Sequence, residues 1–308
     1  MKKIPNRQVH LDFHTSEMID QVGSKFSAEE FADTLKNANV EAVTLFTRCH
    51  HGNLYYDSTK YPERIHPHLK VKDMYREQAK ECRKKGIKVY LYTTICWDIR
   101  VAAEHPEWVA IDDYARISRR ETGNIFEDPG FHVDLCINSP YREFCKEQIA
   151  DALENCPVDG VLVDASFVVE CCCPRCRKSM LEKHLNPADP QDRKKHAWQI
   201  YYDFVREMTD YLHEIDSDYD IFFNKGHVGA QDIPVRDCFD YVAVESQPAN
   251  CGYMDFPVSA RYLRTWGVPV VGMTGRFLTG WGDNNSYRNQ AALEYESFSA
   301  LSYGGLCN

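Results

Sequence analysis

The clearest sign of the fold is a short apolar run, Asp159-Gly160-Val161-Leu162-Val163-Asp164, that ends in a carboxylate. A helical pattern covers Tyr141 to Asn155 before it, and a long amphipathic helix is predicted from Trp198 to Ile215 after it. Short buried strands that alternate with helices are typical of parallel sheets, because parallel strands need crossover connections. The run therefore predicts a strand in an α/β fold.

The same alternation extends outward along the chain in both directions. Further strands are predicted at Gln8–His14, Ala42–Phe46, Lys88–Tyr92, Asp220–Asn224, Tyr241–Glu245, Pro269–Thr274 and from Leu306. Further helices are predicted after the Ser27-x-x-Glu30 capping box, over Met74–Lys85 before Gly86, over Val258–Trp266 and over Asn289–Tyr303. Seven strand–helix units and the start of an eighth strand predict a (β/α)8 TIM barrel. An open doubly wound sheet is disfavoured, because no G-x-G-x-x-G follows the first strand and no phosphate loop occurs.

We expect residues 1–308 to form a single catalytic barrel domain. The chain stops at Asn308, inside or just after the eighth strand and without an eighth helix, so we expect a truncated barrel that is the N-terminal part of a longer protein. Two long loops, Trp97 to Ile137 and Ala165 to His196, follow the third and fourth strands. Long loops at this face of a barrel usually build the substrate pocket.

Composition excludes several classes of protein. With 36 Lys and Arg against 46 Asp and Glu, the net charge of −10 argues against nucleic acid or an anionic membrane as the main partner. No run of about 18 apolar residues occurs that would span a bilayer. The start, Met1 to Gln8, lacks the apolar segment of a secretory signal, and the 13 cysteines suggest reduced thiols. We therefore expect a cytoplasmic protein.

Polar and charged side chains follow the end of nearly every predicted strand. These residues are His14, Arg48, Cys49, His50, His51, Trp97, Asp98, Asp164, Asn224, Lys225, Glu245 and Arg276. The carboxyl ends of barrel strands form one face, where barrel enzymes place their active sites. A carboxylate pair such as Asp164 and Glu245, ringed by imidazoles, amides and aromatic rings, suits cleavage of a glycosidic bond.

Each of these residues also has an ordinary structural interpretation. Asp164 would cap the next loop or helix, and Glu245 would anchor its loop through a salt bridge. His14 would be a structural histidine, and Trp97 and Trp281 would pack within the core or a loop. The pattern alone leaves these interpretations open.

Two stretches resemble α-L-fucosidases of glycoside hydrolase family 29. They are Thr47-Arg48-Cys49-His50-His51-Gly52 with Tyr56-Asp57-Ser58, and Cys82-Arg83-Lys84-Lys85-Gly86-Ile87-Lys88-Val89-Tyr90-Leu91-Tyr92. The whole chain is more similar still to the related barrel group that includes family 151 α-L-fucosidases. That likeness rests on Asp159 to Asp164, the Cys-rich run after it, Val244-Glu245-Ser246-Gln247-Pro248, and Gly272-Met273-Thr274-Gly275-Arg276-Phe277 with Trp281-Gly282-Asp283. Members of this group usually continue into further domains, one of which resembles a β-galactosidase trimerisation domain, so a homo-oligomer is expected for the full-length protein.

The resemblance implies a retaining glycoside hydrolase, most similar to an α-L-fucosidase, that acts on a glycoside or oligosaccharide. It implies that Asp164 is the nucleophile, and Glu245 is our choice of acid/base, with Asp98 and Glu170 as competitors. The expected binding residues for the sugar are His14, His50 and His51, followed by Trp97, Asn224 and Arg276. No cofactor is expected for catalysis.

A cysteine cluster after the fourth strand predicts a structural metal site. Cys171, Cys173 and Cys176 form a C-x-C-x-x-C motif, whose three thiolates can face one Zn²⁺, and Cys136 or Cys96 would supply the fourth ligand. The run also resembles the zinc-binding loop after strand four in family 42 β-galactosidases. The alternatives are reduced cysteines packed in a loop and an adventitious disulfide.

Three other functions compete with the fucosidase-like hydrolase. A non-catalytic carbohydrate-binding barrel, or a domain that supports oligomer assembly, is disfavoured by the presence of both carboxylates. A β-galactosidase-like hydrolase is disfavoured because those enzymes carry Glu, usually after Asn, where this chain has Val163-Asp164. A zinc-dependent deacetylase or amidohydrolase is disfavoured because His10-Leu11-Asp12-Phe13-His14 contains no H-x-H and no H-E-x-x-H occurs.

Overall fold

The computed structural model describes residues 3–119, 132–278 and 286–308. Within these ranges, the strands are β1 Gln8–His10, β2 Ala42–Phe46, β3 Lys88–Thr94, β4 Gly160–Asp164, β5 Asp220–Phe223, β6 Val242–Ser246, β7 Val270–Thr274 and β8 Leu306–Cys307. All neighbouring strands pair in parallel. They form a five-stranded sheet in the order β1-β2-β3-β4-β5 and a three-stranded sheet in the order β6-β7-β8.

Helices connect the strands, as parallel pairing requires. In the described residues they are α1 Ala28–Asn37, α2 Met74–Lys84, α3 Ile99–Glu104, α4 Tyr141–Leu153, α5 Pro174–Glu182, α6 Pro190–Ile215, α7 Pro248–Cys251, α8 Asp255–Leu263 and α9 Gln290–Ser302. Short 3-10 helices occupy Pro62–Arg64, Pro106–Trp108, Ala230–Cys238 and Arg264–Trp266. No helix among the described residues is long and apolar enough to span a membrane.

The edges of the two sheets meet at both ends of the strand order. Between β5 and β6, the backbone N–H of Asp240 donates to the carbonyl of Ile221 at 3.1 Å. Between β8 and β1, Arg7 and Cys307 form a single parallel bridge. The α/β fold, the parallel direction and the chain-order arrangement are thus as predicted, while the strands form two sheets instead of one continuous ladder.

The local start and stop signals at α1 and α2 are confirmed. The Ser27 side chain accepts a hydrogen bond from the backbone N–H of Glu30 at 3.3 Å, so it caps α1 as the capping box predicts. Gly86, with φ of +73°, follows α2 in the left-handed conformation that glycine adopts easily. These signals are local, so they hold whatever the tertiary fold.

Several expectations about element boundaries are wrong. The segment Trp97 to Ile137 is not one long loop, since it contains α3 and the 3-10 helix Pro106–Trp108. The first strand ends at His10 instead of His14, because its ladder with β2 stops at the His10–Thr44 pair and Leu11 is exposed. The segment Ala165 to His196 is not one long loop, since it contains α5 and the first residues of α6. Both helices begin with proline at the first position, and the Asp189 side chain accepts from the N–H of Gln191 at 2.8 Å to cap α6.

The core lies between the strands and the surrounding helices. Every residue of β2 and of β5 is buried, as expected for strands covered on both faces. The strand ends that carry Asp164 and Glu245 are less completely covered than the residues before them. The fold therefore leaves one end of the strands accessible, and the polar residues lie there.

Candidate active site

The structure brings Asp164 and Glu245 together. Asp164 ends β4, Glu245 lies near the end of β6, and Asn224 directly follows β5 between them. The Asn224 side-chain nitrogen Nδ2 donates to Asp164 Oδ1 at 2.7 Å and to Glu245 Oε1 at 2.6 Å. Because one nitrogen contacts both oxygens, these oxygens lie no farther apart than the sum of 2.7 and 2.6 Å.

Burial raises the pKa values of both carboxyls. Burial raises the pKa of Asp164 above its usual value, and hydrogen bonds from Tyr92, the Ala165 backbone and Asn224 act against this rise. Burial raises the pKa of Glu245 to about 7; the Asn224 hydrogen bond opposes this, and the charge of Asp164 adds to it. Glu245 is thus partly protonated near neutral pH, as a proton donor must be.

Tyr92, on β3, is a contact of Asp164 that the sequence did not predict. Its hydroxyl donates to Asp164 Oδ2 at 2.6 Å, and its ring stacks on Phe46 with centroids 3.7 Å apart. In the strand register Thr94 pairs with Asp164, so Tyr92 lies two residues deeper on the neighbouring strand. The only signal in the sequence is an aromatic residue near the end of a strand, which is too common to single it out.

Two of the predicted histidines stack against each other beside the carboxylates. The rings of His14 and His50 are 4.0 Å apart at an interplanar angle of 14°, and His50 Nε2 lies 3.8 Å from Asp164 Oδ2. Burial lowers the pKa of His14 to about 4 and that of His50 well below its usual value. Both imidazoles are therefore neutral at physiological pH. His51 follows them in the chain, and the charges that act on its pKa, after burial, are those of Glu17 and His66.

His10 and Asp12 form a hydrogen-bonded pair that the site prediction missed. His10 Nε2 lies 3.1 Å from Asp12 Oδ1, and His14 Nε2 lies 3.6 Å from the same oxygen. Burial alone would lower the pKa of His10, but the hydrogen bond and charge of Asp12, with the charges of Asp164 and Glu245, raise it overall. The alternation of His10, Asp12 and His14 was visible in the sequence, and it could have identified this pair.

Trp97 and Arg276 lie at the periphery of the carboxylate pair. The Trp97 ring meets His50 edge-on at 5.0 Å, and its Nε1 donates to Asp134 Oδ1 at 3.0 Å. The exposed Arg276 places its guanidinium 4.8 Å from the centre of the Tyr287 ring, and its charge helps to lower the pKa of Asp12. Trp281, and with it the stretch Trp281 to Asp283, lies outside the described residues.

The two competitors for the acid/base role, Asp98 and Glu170, have surroundings that differ from those of Glu245. Asp98 is fully buried, pairs with Arg48 at 2.9 Å, and accepts from the backbone N–H of Val101 at 2.8 Å to cap α3. Gly52 passes so close that a Cβ there would clash with Asp98 Oδ1. Asp98 thus has a structural role, and Glu170 is exposed in the segment after β4. Lys225 pairs with buried Asp232 at 2.7 Å.

The cysteine cluster assembles with Cys136 as its fourth member. In the described residues, the sulfur atoms of Cys136, Cys171, Cys173 and Cys176 all lie within 4.8 Å of one another and all four residues are buried. Cys136 Sγ lies 3.5 Å from Cys176 Sγ and 3.9 Å from Cys173 Sγ. A tetrahedral site with Zn–S bonds of about 2.3 Å has S···S edges of about 3.8 Å. Cys96 is elsewhere, since its thiol contacts the carbonyl of Phe167 at 3.6 Å.

Comparisons with known proteins show which proteins this chain is similar to. Residues 27–165 match the family model described as Hypothetical glycosyl hydrolase 6. Among solved structures, α-L-fucosidase isoenzyme 2 from Paenibacillus thiaminolyticus is 32% identical with a TM-score of 0.89, over 99% of this chain and 45% of that protein. No curated protein matches the sequence.

Two more distant structures share the fold alone. A β-galactosidase from the psychrophilic Marinomonas ef1 is 14% identical with a TM-score of 0.68, over 97% of this chain and 53% of that one. An α-L-fucosidase of family GH29 from Bacteroides thetaiotaomicron is 14% identical with a TM-score of 0.53, over 93% of this chain and 54% of that one. The chain is glycoside hydrolase-like, its structural neighbours include fucosidases, and it spans less than half the length of the Paenibacillus enzyme.

Proposed function

We propose that this chain carries the active site of a retaining glycoside hydrolase, with Asp164 as nucleophile and Glu245 as acid/base. The observation that carries the proposal is the carboxylate pair bridged by Asn224, whose two contacts are 2.7 and 2.6 Å long. The upper limit that these contacts set on the distance between Asp164 Oδ1 and Glu245 Oε1 is compatible with the carboxyl separation of roughly 5–5.5 Å in retaining glycosidases. It is shorter than the roughly 6.5–9.5 Å of inverting ones.

The reaction takes two displacements. In the first, an Asp164 oxygen bonds to the anomeric carbon, the glycosidic C–O bond breaks, and Glu245 gives its proton to the leaving oxygen. In the second, water attacks the anomeric carbon and gives a proton to Glu245, and the bond to Asp164 breaks with its electron pair returning to the carboxylate. The raised pKa of Glu245, about 7, supports the donor role in the first step and the acceptor role in the second.

The surrounding side chains suit recognition of a sugar. Neutral imidazoles such as those of His14 and His50 each offer one donor and one acceptor to hydroxyl groups. The hydrogen-bonded pair of His10 and Asp12 lies beside them. We propose an α-L-fucoside as the substrate, and the supporting observation is the likeness to the Paenibacillus fucosidase.

Hydrolysis of aryl glycosides tests this proposal. We expect turnover of an aryl α-L-fucoside, loss of turnover on the order of 10⁴-fold or more in Asp164→Ala, and release of the sugar with the same anomeric configuration as the substrate. We expect Glu245→Ala to keep activity only on substrates with good leaving groups, with azide restoring turnover as a glycosyl azide. Turnover of an aryl β-galactoside but not of the fucoside would contradict the proposed substrate. Release of the sugar with inverted anomeric configuration would contradict the retaining mechanism. An Asp164→Ala variant as active as the unmodified chain would contradict the role of Asp164 as nucleophile.

We also propose that the four-cysteine cluster binds a structural Zn²⁺. Four thiolates close a tetrahedron and leave no open position for water, so the metal would fix the loops after β3 and β4 and take no part in the chemistry. The spacing of the four sulfur atoms and their burial support the proposal.

A further inference from the structure

The candidate nucleophile is held by two donors, one on each oxygen. Asn224 donates to Asp164 Oδ1, and the hydroxyl of Tyr92 donates to Oδ2 at 2.6 Å. Asn224 also donates to Glu245, so the position of its side chain depends on both carboxyls. Of the two carboxyls, the Tyr92 hydroxyl contacts only that of Asp164. The O–H···O distance of this contact is that of a charge-assisted hydrogen bond.

Tyr92 has little freedom to move. Its side chain is 1% exposed, and its ring stacks on Phe46 with an interplanar angle of 10°. The rings of His10 and His14 meet it edge-on at 5.5 and 5.9 Å. Burial raises the pKa of Tyr92 well above its usual value, and the charge of Asp164 adds to this, so the hydroxyl keeps its proton at every working pH.

We propose that Tyr92 is the positioning residue for the Asp164 nucleophile, holding Oδ2 as the glycosyl–enzyme bond forms and, above all, as it breaks. This inference rests on the proposed function. Nothing in the resemblance or in the comparisons assigns a role to Tyr92.

The two chemical steps differ in how much they depend on this hydrogen bond. An O–H group binds a carboxylate more strongly than an uncharged ester. In the first step the carboxylate loses charge as it bonds to carbon, so the hydrogen bond weakens. In the second step the C–O bond breaks and the electron pair returns to the carboxylate, so the hydrogen bond strengthens toward the transition state. Loss of the Tyr92 hydroxyl therefore slows the second step more than the first.

The hydrogen bond also affects ionisation of the nucleophile. The groups that face Asp164 are Tyr92 from β3, Asn224 after β5, Glu245 on β6, His10 from β1, and His50, whose Nε2 lies 3.8 Å away. Burial raises the pKa of Asp164, and the Tyr92 hydrogen bond is the first of the contributions that lower it. Without the hydroxyl, Asp164 ionises at a higher pH.

The test is Tyr92→Phe in the full chain, which keeps the stacked ring. With the aryl glycoside that the unmodified chain hydrolyses, we expect kcat to fall on the order of 10- to 100-fold. We expect KM to fall with it, because the glycosyl–enzyme accumulates. Rapid mixing should show a burst of one phenol per site, and the acidic limb of the kcat/KM profile should move to higher pH.

Tyr90→Phe is the matched control. Tyr90 is a buried tyrosine on the same strand, and its hydroxyl donates to Asp220 Oδ2 at 3.0 Å, at the opposite end of the strands. We expect this variant to lose a comparable hydrogen bond and to keep kcat, KM and the pH profile of the unmodified chain.

Two results would overturn the inference. One is an active chain whose Tyr92→Phe variant shows neither a burst nor a shifted acidic limb. The other is an equal burst or shift in Tyr90→Phe. An unmodified chain that hydrolyses no aryl glycoside would instead contradict the proposed function, and the inference would fall with it.

Discussion

Glu245 owes its suitability as a proton donor to its surroundings. Burial raises its pKa to about 7, the Asn224 hydrogen bond opposes the rise, and the charges of Asp164 and Asp12 add to it. The same Asn224 nitrogen lowers the pKa of Asp164. One amide therefore lowers the pKa values of both carboxyls, and it links the ionisation of the candidate nucleophile to that of the candidate acid/base.

Asn224→Ala should move the whole pH profile. Removing a donor that favours the charged form raises the pKa of Asp164 and of Glu245 together. In the proposed mechanism, activity on the acidic limb needs Asp164 ionised and activity on the basic limb needs Glu245 protonated. Both limbs should therefore move to higher pH, and kcat/KM at the optimum should fall on the order of 10- to 100-fold. The pH dependence of kcat/KM measures this. A profile that falls in height without moving would contradict the role given to Asn224.

The residues that the sequence could predict are those at strand ends. Asp164, Glu245, Asn224 and His50 follow apolar runs, and parallel strands bring such ends together whatever the details of packing. Tyr92 ends the predicted strand, but the observed strand continues to Thr94, and the contact of Tyr92 with Asp164 depends on the register between β3 and β4. That register is a tertiary property, so the pattern of one strand does not contain it.

At the scale of secondary-structure elements, the cysteine cluster joins two segments that are distant in the chain. Cys136 belongs to the segment after β3, while Cys171, Cys173 and Cys176 belong to the segment after β4 and the first turn of α5. Trp97 and Phe167 lie in the same two segments and pack at 4.7 Å. The cluster therefore supports one wall of the candidate active site.

Cys173→Ser should remove the metal. We expect metal analysis of the purified protein to give about one Zn per chain, and the variant to lose most of it because a serine hydroxyl is a much poorer zinc ligand than a thiolate. The variant should also have a lower midpoint of thermal unfolding. Cys172→Ser is the matched control, since Cys172 lies in the same run but outside the four-sulfur cluster. A metal-free, well-folded unmodified protein, or equal zinc in both variants, would contradict the proposal.

Element boundaries were predictable where the signal is local. The cap of α1 and the glycine after α2 are such signals. The start of α6 was missed although Asp189 and Pro190 form a recognisable cap and first turn, because the apolar periodicity used to find the helix begins only at Trp198. The early end of β1 could not be predicted, since it depends on where the pairing between β1 and β2 stops.

At the scale of the whole molecule, the site lowers stability. A carboxyl whose pKa is higher in the folded state than in the unfolded chain binds its proton more tightly when folded. Below the unfolded value of about 4.5, Glu245 is protonated in both states and has no effect. As pH rises from there to about 7, the unfolded chain releases its proton first, so the folded state loses stability, and above about 7 the loss is complete.

Glu245→Gln should therefore stabilise the protein in a pH-dependent way. The amide can still accept from Asn224, and it carries no charge to bury. We expect a gain in free energy of unfolding on the order of 1–3 kcal/mol at pH 8 and none at pH 4. Thermal unfolding of the two proteins across this range measures the difference. A gain that is the same at all pH values would show that the raised pKa is not its cause.

The two carboxyls belong to different sheets, and each sheet is one continuous part of the chain. Asp164 lies in the sheet built from β1 to β5, and Glu245 in the sheet built from β6 to β8. A cut within Ala230–Cys238, between β5 and β6, would yield two fragments with one carboxyl each. Neither fragment alone could carry out both displacements. Under the proposed function, turnover after mixing them would thus report reassembly of the fold, and the chain would serve as a split reporter.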